Sequence, residues 1–371
     1  MPKNPIQRRA FLRTAATAGA AATAAAAFPA PAISQGRMEW RMVTSWPKNF
    51  PGLGTGAERV AQRIGTMSGG RLTVKVYSAG ELVPALQCFD AVSNGTAEMG
   101  HDASYYHLGK HRQAAFFAAV PFGFTAGEHI AWLHYMGGQE LWDELYAPFN
   151  LKAFAVGNTG TQALGWYRKE MRTAEDYKGL KKRMPGLGGE VIKKLGATVV
   201  LLPGGEIFAA LQSGTIDATE WVGPYNDLAF GFHQVAKFYY SPGFQEPSTA
   251  LQLMVDKRKY DALPDDLKQI VASAAQQGHD DTLAEFNARS AEAAETLRTR
   301  HGIAIRRVSN ELLTSFGNAS GEVMAEEREK ADAIGKKIFD SYIKARTLLL
   351  PYTRNAEQAY LNARTLSFKY L

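Results

Sequence analysis

From residue 39 to residue 222 the hydrophobic pattern switches back and forth between a period of two and a period of about 3.6, and this alternation restricts the fold more than any other feature of the sequence. Glu39–Thr44 (EWRMVT) reads as a short strand, and Gly56–Met67 as an amphipathic helix stopped by Ser68-Gly69-Gly70. Arg71–Tyr77 (RLTVKVY) alternates as a strand, Pro84–Asn94 is expected to be a helix closed by Gly95, and Glu98–His101 starts another strand. The same succession returns in Lys152–Gly157, Gly179–Met184, Gly188–Leu195, Ala197–Leu202, Gly205–Ser213 and Asp217–Val222. Strands separated by helices require crossover connections and so an α/β sheet. Two such stretches imply two lobes. From Pro264 the texture changes to a long helical pattern, Pro264–Arg300, followed by two more helical segments rich in Glu, Lys and Ala within Asn310–Arg346. These read as a solvated layer on the lobes. Alternatively the last of them, with Phe339, Tyr342, Leu348–Leu350 and several further tyrosines, exceeds what one lobe can bury and serves a dimer contact.

The N-terminus is a different kind of segment. Residues 6–13 (QRRAFLRT) precede an uncharged, Ala-rich run, Thr14–Phe28, and then Ala30-Pro31-Ala32, a small-x-small cleavage site of the secretory kind. The apolar run is shorter than the roughly 18–20 residues that span hydrocarbon. Export by the twin-arginine route with removal of residues 1–32 is therefore expected, leaving a soluble periplasmic protein. Without the leader the chain carries 38 basic against 36 acidic side chains, so no electrostatic footprint for nucleic acid remains. Of the 371 residues 46% are hydrophobic and 21% charged, which supports a packed core in two domains. The single cysteine, Cys88, rules out an intrachain disulfide or a multi-thiolate metal site, and its setting in LQCFDAV suits core packing.

Hydrolytic and dinucleotide chemistry find no support. The sequence holds no Gly-x-Ser-x-Gly elbow and no His-Glu-x-x-His, and GLGG at 186–189 lacks the third glycine and acidic partner of a dinucleotide fingerprint. His101, His107, His111, His129 and His134 cluster in sequence, but their spacing does not put His101 and His107 on one helical face, so loop or surface positions are expected. Arg183 precedes Met184-Pro185-Gly186, where the chain must turn; its planar fork suits a bidentate carboxylate clamp, and a surface ion pair fits equally well. Glu220 at a strand end and Glu246 between turn residues Gly243 and Pro247 suit a hard cation with oxygen ligands better than zinc.

The segments GNTGTQALGWYRKE, LKKRMPGLGGEVIKKLGA, LPGGEIFAALQSGTIDATEWVGPYND and YYSPGFQEPS, between Asn158 and Pro247, resemble the periplasmic solute-binding subunits of tripartite ATP-independent (TRAP) transporters, in particular the subgroup that takes 2-oxo acids. The resemblance runs from about Trp40 to the C-terminus. It implies a two-lobed, type II-like Venus-flytrap binding protein of α/β class with a long C-terminal helical segment. It also implies that Arg183 clamps the substrate carboxylate and that a calcium or sodium ion is held by Gln162, Glu220, the Trp221 main chain and Glu246. The ligand would bridge the two through its carboxylate and 2-oxo or 2-hydroxy oxygen. Glu220, Glu246 and the ligand carboxylate against Arg183 leave a charge of −2, which favours calcium. Two departures stand out: Phe208 where the subgroup has Tyr, and Gly243-Phe244-Gln245 where the family has Trp and His. Either can reshape the tail end of the pocket, and Gln245 can replace Glu246 as ligand. Asn158, Trp46, Tyr105 and Tyr106 are further pocket candidates, or core residues.

The expected organisation is thus a leader at 1–32, one lobe from 33–155 with 222–250, a second from 156–221 with 251–325, and C-terminal helices at 326–371 as a candidate dimer element. The partners implied are a small 2-oxo or 2-hydroxy carboxylate, a TRAP membrane permease and a second copy of the chain. The competing reading is a periplasmic enzyme using the same cation as a Lewis acid on a 2-oxo acid. For that reading the sequence nominates no acid or base beyond the two glutamates.

Overall fold

Eleven strands in two sheets organise the computed structural model, which describes residues 36–370; the expected leader at 1–32 lies outside them. The first sheet contains β1 (Met38–Thr44), β2 (Leu72–Tyr77), β3 (Met99–Asp102), β4 (Leu151–Asn158) and β10 (Ala250–Asp256), in the order β2-β1-β3-β10-β4. β1 runs parallel to β2 and β3, whereas β10 inserts antiparallel between β3 and β4. The second sheet contains β5 (Gly165–Tyr167), β6 (Lys181–Arg183), β7 (Thr198–Val200), β8 (Ala218–Thr219), β9 (Phe238–Ser241) and β11 (Ile305–Arg307), in the order β11-β9-β5-β8-β6-β7. Helices fill the crossovers, as parallel pairs demand. From Met38 onward the chain forms one unit.

The strand pairing cuts across the expected division of the chain. The expected boundaries place residues 222–250 with the first lobe, whereas β9 pairs in the second sheet, and residues 251–325 with the second, whereas β10 lies within the first sheet. Hydrophobic patterning reports which face of a strand is buried, while sheet membership is decided by the backbone edge it meets, which patterning does not encode. The real crossings are 159–164, leading from β4 to β5, and 242–249, leading from β9 to β10. They bond to each other: Thr159 N–H donates to Thr249 O (3.1 Å), Gln162 N–H to Glu246 O (3.0 Å) and Gly243 N–H to Gln162 O (2.9 Å).

A third connection is the helix Asp265–His301, which packs on β4 and on the helices Gly54–Met67 and Pro224–Phe230. Arg63 pairs with its Asp281 (2.7 Å), and Tyr225 O–H donates to its Glu285 (3.0 Å), so one helix grips groups next to both sheets. Asn310–Lys330 packs against Gly186–Lys194 near the second sheet, and Ala333–Thr353 against Gly138–Tyr146 near the first. Arg112 clamps Glu327 with Nε at 2.8 and 2.9 Å from its two oxygens.

Three of the five clustered histidines are not the loop or surface residues expected. His101 lies within β3, His129 within the helix Ala126–Tyr135, and both are buried with His107, whereas His111 is a half-buried loop residue and His134 is exposed. Each buried ring needs a polar partner. His101 Nδ1 accepts from Trp46 Nε1 (2.8 Å), and His107 Nε2 meets Asp102 (2.7 Å), pairings that spacing alone does not display. Cys88 is fully buried, as expected, and burial pushes its thiol pKa up.

Burial pushes the His129 pKa down to about 3, so the unfolded chain takes up a proton that the folded one refuses between that value and about 6.5, and folding stability drawn from this residue rises with pH across that window. Asp227, pushed up to about 7 by burial, acts in the opposite direction, so the prediction is a difference between two proteins. The stability advantage of wild type over His129→Gln is expected to shrink by about 2 kcal/mol between pH 7 and pH 5 in denaturant titrations. Parallel curves would contradict it.

Candidate functional site

β4 ends in Asn158, and the crossing that follows carries Thr159 and Gln162. Asn158 Oδ1 accepts from Gly160 N–H (2.8 Å), which fixes the amide and leaves its Nδ2 without a partner. Gln162 Nε2 donates to Thr159 Oγ1 (3.2 Å) and Thr249 Oγ1 (3.0 Å), so its oxygen is turned the other way and has no partner. On the returning crossing Glu246 accepts at Oε2 from Tyr105 O–H (3.2 Å) and from Thr249 Oγ1, while Oε1 is unpaired. Thr249 thereby ties Gln162 to Glu246.

The second sheet supplies the opposing charge. Arg183 is the last residue of β6, and Glu220 follows β8; the parallel register Arg183↔Thr219 brings the two side by side. Arg183 donates through Nε to Leu202 O (3.2 Å) and through Nη1 to Glu220 O (3.2 Å), and its Nη1 forms an ion pair with Glu220 Oε1. Its guanidinium lies 5.0 Å from the Trp221 ring centroid. Nη2 of Arg183 and Oε2 of Glu220 are buried without partners. Lys182 projects from the other face of β6, as strand alternation requires, and is completely buried. Its Nζ donates to Leu164 O (2.8 Å) and to Tyr167 Oη; burial lowers its pKa to about 7, against a smaller pull upward from Glu220.

Aromatic side chains close the remaining walls. Trp46, Tyr105, Tyr106 and Trp221 line an enclosed space with Gln162 and Thr159. Its water-centre volume is ≈ 10 Å³, about what a single water needs. Arg183, Glu220 and Glu246 lie behind this lining, next to residues that form it: Arg183 over the Trp221 ring, Glu220 before Trp221 in the chain, and Glu246 on Tyr105 O–H.

The unpaired atoms sort into two chemical sets. Gln162 Oε1, Glu220 Oε2 and Glu246 Oε1 are acceptors, and Arg183 Nη2, Asn158 Nδ2 and Trp221 Nε1 are donors. A buried polar atom without a partner costs about 1–3 kcal/mol, so this concentration of them on the two crossings and the adjoining ends of β6 and β8 marks a binding site rather than a core. Amide and carboxylate oxygens fit a hard cation; the donors fit an anion, with the guanidinium fork matching a carboxylate. Among the described residues there is no group of three or more His, Cys, Asp or Glu that could hold a metal. Burial, and then the Glu220 charge, push the Glu246 carboxyl well above the usual range. Burial raises Glu220 too, against the pull of Arg183. Burial leads both shifts.

The structure therefore brings together Arg183, Gln162, Glu220, Trp221, Glu246, Asn158 and Tyr105. Gln245 turns away, its Nε2 donating to Ala163 O (2.8 Å), and Glu246 is the one beside Tyr105 and Thr249. The two departures expected to reshape the pocket do not line the cavity: Phe244 stacks on Phe316 at 4.2 Å, and Phe208 is half-buried on the helix Gly204–Ser213. Lys182 and Thr249 were missed. KKR reads as an ordinary basic strand, and its only cue was a Lys at the alternation position that faces the core.

Comparison with known proteins gives the same picture. The sequence profile of DctP, bacterial extracellular solute-binding protein, family 7, matches residues 42–330. A monocarboxylate 2-oxoacid-binding periplasmic protein of Nostoc sp. (strain PCC 7120) is 39% identical, over 96% of this chain and 98% of that one. A TRAP periplasmic solute-binding protein from Pseudoalteromonas atlantica, solved with bound sodium and pyruvate, superposes with a TM-score of 0.86 at 40% identity, covering 90% of this chain and 100% of that one. One from Bordetella bronchiseptica, a mixed-occupancy dimer with calcium and picolinate in one site, gives 0.86 at 36% identity, covering 88% and 97%. With its two sheets, its charged crossing site and these matches, the chain belongs to the DctP family of bacterial extracellular solute-binding proteins.

Proposed function

We propose that this chain is the periplasmic solute receptor of a TRAP transporter, exported by the twin-arginine route, and that it captures a small 2-oxo or 2-hydroxy monocarboxylate together with a calcium or sodium ion for delivery to a membrane permease. The observation that carries the reading is the pairing of unpartnered groups: three acceptor oxygens, on Gln162, Glu220 and Glu246, beside three donors, on Arg183, Asn158 and Trp221. The Trp221 main chain completes the cation's ligands. Arg183 and Asn158 orient the ligand carboxylate, Tyr105 holds Glu246 in place, and the aromatic walls exclude water. A bound cation supplies the positive charge that the oxygens lack and a point of attachment for the oxygen on C2 of the ligand. The relatives that bind 2-oxo acids, and the neighbours solved with pyruvate or picolinate, support the ligand class.

The charge count behind calcium changes once Lys182 is included. Fully buried, with a pKa lowered to about 7 and an electrostatic pull from Glu220, it contributes up to one further positive charge beside the site. The total then accommodates either ion, and the neighbours hold both. Calorimetric titration of the metal-stripped protein with pyruvate, 2-oxobutyrate, lactate and mannitol, with and without calcium in sodium-free buffer and then with sodium, tests the reading. Cation-dependent heat for the acids alone is expected; acids bound without any cation, or mannitol alone, would overturn it.

Two lobes built on the two sheets would close by a hinge at the crossings 159–164 and 242–249. The C-terminal helices are proposed to pair two copies. Phe339 and Tyr342 are buried within the chain, but Leu348, Tyr352, Tyr360, Leu366, Phe368 and Tyr370 are each exposed along the C-terminal segment, apolar surface that a second copy would cover. Sedimentation is expected to give a dimer that falls to a monomer when the chain is cut after Arg346. A monomeric mass with the tail intact would refute the pairing.

A further inference from the structure

Two tryptophans line the small space at the site, and a larger pocket is lined by residues that flank one of them and by residues that flank the glycine on which the other packs. Trp46 and Trp221 line the inner space. The outer pocket, ≈ 550 Å³, is lined by Ser45 and Pro47, which flank Trp46 in the chain, and by Pro203 and Gly205, which flank Gly204. A Cβ at position 204 would lie 2.5 Å from Trp221 Cη2, so the indole is flush against that backbone. The two indoles meet edge to face, with centroids 6.2 Å apart and an angle of 81°, and they are 2% and 4% exposed. One belongs to the loop after β1 of the first sheet and the other follows β8 of the second, so the pair forms only when the two sides meet. Trp46 is anchored. An indole N–H can only donate, and it donates at 2.8 Å to Nδ1 of His101, whose ring is buried in β3 and kept neutral by burial, its pKa pushed down to about 4. Trp221 has no such bond; its Nε1 is buried and unpartnered.

We infer that Trp46, held by His101, is the specificity-determining residue that limits the length of the ligand's tail. The inference rests on the 2-oxo acid reading above. With the carboxylate at Arg183, the aromatic wall stops the chain of a short acid, and of the two indoles in that wall Trp46 is the one whose own chain neighbours, Ser45 and Pro47, line the outer pocket. Pro84, Ala85 and Leu86 make the outer pocket apolar, suited to an aliphatic tail, while Glu206 on its lining opposes a second carboxylate. Removing the indole joins the two spaces. The gain is therefore confined to 2-oxo acids with long uncharged tails.

Calorimetry on calcium-loaded wild type, Trp46→Ala and Trp46→Phe with pyruvate, 2-oxobutyrate, 2-oxohexanoate, 2-oxooctanoate and 2-oxoglutarate tests this. Wild type is expected to weaken by about tenfold or more once the tail passes the partition, since a tight apolar pocket discriminates at that scale per methylene. In Trp46→Ala the ratio of 2-oxooctanoate to pyruvate affinity should rise at least about tenfold, with no gain for 2-oxoglutarate; Trp46→Phe should keep the wild-type order. Should the alanine protein fail to melt cooperatively, Trp46→Leu, which retains apolar volume between the two sides, carries the same expectation. A folded variant that keeps the wild-type length profile, or loses every acid equally, overturns the inference, as does wild type binding 2-oxooctanoate as tightly as pyruvate. Wild type that binds no 2-oxo acid of any length overturns the ligand class instead.

Discussion

Arg183→Ala is expected to lose pyruvate binding by a factor of roughly 10–10², because a charge-assisted hydrogen bond from the unpartnered Nη2 to a carboxylate is worth about 1.5–3 kcal/mol. It is expected to weaken the cation-free protein as well. Glu220 is fully buried and takes its counter-charge from this guanidinium, and breaking a buried pair by removing one partner costs about 3–5 kcal/mol. The two losses can be separated. Arg183→Ala with Glu220→Gln no longer strands a charge, so melting should recover most of the deficit while binding stays lost. Arg183→Lys keeps the charge but not the fork; it should retain most of the stability and still bind about tenfold more weakly, since a point charge cannot replace the planar fork. If Arg183→Ala binds pyruvate within a few-fold of wild type, the carboxylate is held elsewhere.

The path from sequence to this site was open in some places and closed in others. Strand and helix positions followed from periodicity: β1, β2, β3 and β4 fall within a residue or two of the expected segments, and the long helix begins at Asp265 beside its expected proline. The helix expected over Pro84–Asn94 shrinks to Cys88–Ser93, because Gln87 N–H closes a turn on Pro84 O and leaves the preceding residues outside the helical ladder. Two kinds of information lay out of reach. One is edge pairing: β9 and β10 are separated by only the 242–249 crossing yet join different sheets, and their own residues do not say so. The other is partnership at a distance, as for His101 with Trp46 across 55 positions, or the buried Lys182 beneath Glu220. Arg183, Gln162, Glu220 and Glu246 were nameable because a family resemblance supplied the set. Spacing alone left Arg183 as a clamp or an ordinary ion pair, and only the unpaired Nη2 beside three unpaired oxygens gives it a reason to be there.

Glu246→Gln is expected to reverse its effect on stability according to whether a cation is present. Without one, Glu246 is a buried carboxyl whose ionisation is opposed first by burial and then by Glu220. Glutamine keeps its shape and can still accept from Tyr105 and Thr249 at the oxygen they use, so in chelator the variant should melt at or above the wild-type temperature. With calcium the order inverts. The amide nitrogen replaces Oε1, the atom that has no partner in the protein, and turns an acceptor into a donor where a cation needs oxygen. Wild type should gain about 2.7 kcal/mol at calcium concentrations near 100 times its Kd, from binding to the folded state alone, and the variant much less. Pyruvate affinity should fall in step, because two ligands that share one site through a common chelate raise each other's affinity by the same factor. Adding calcium should therefore tighten pyruvate binding in wild type and leave the variant nearly unchanged. A full wild-type calcium shift in the melting of Glu246→Gln would remove Glu246 from the cation site and leave Glu220 and Gln162 to hold it without a second carboxylate.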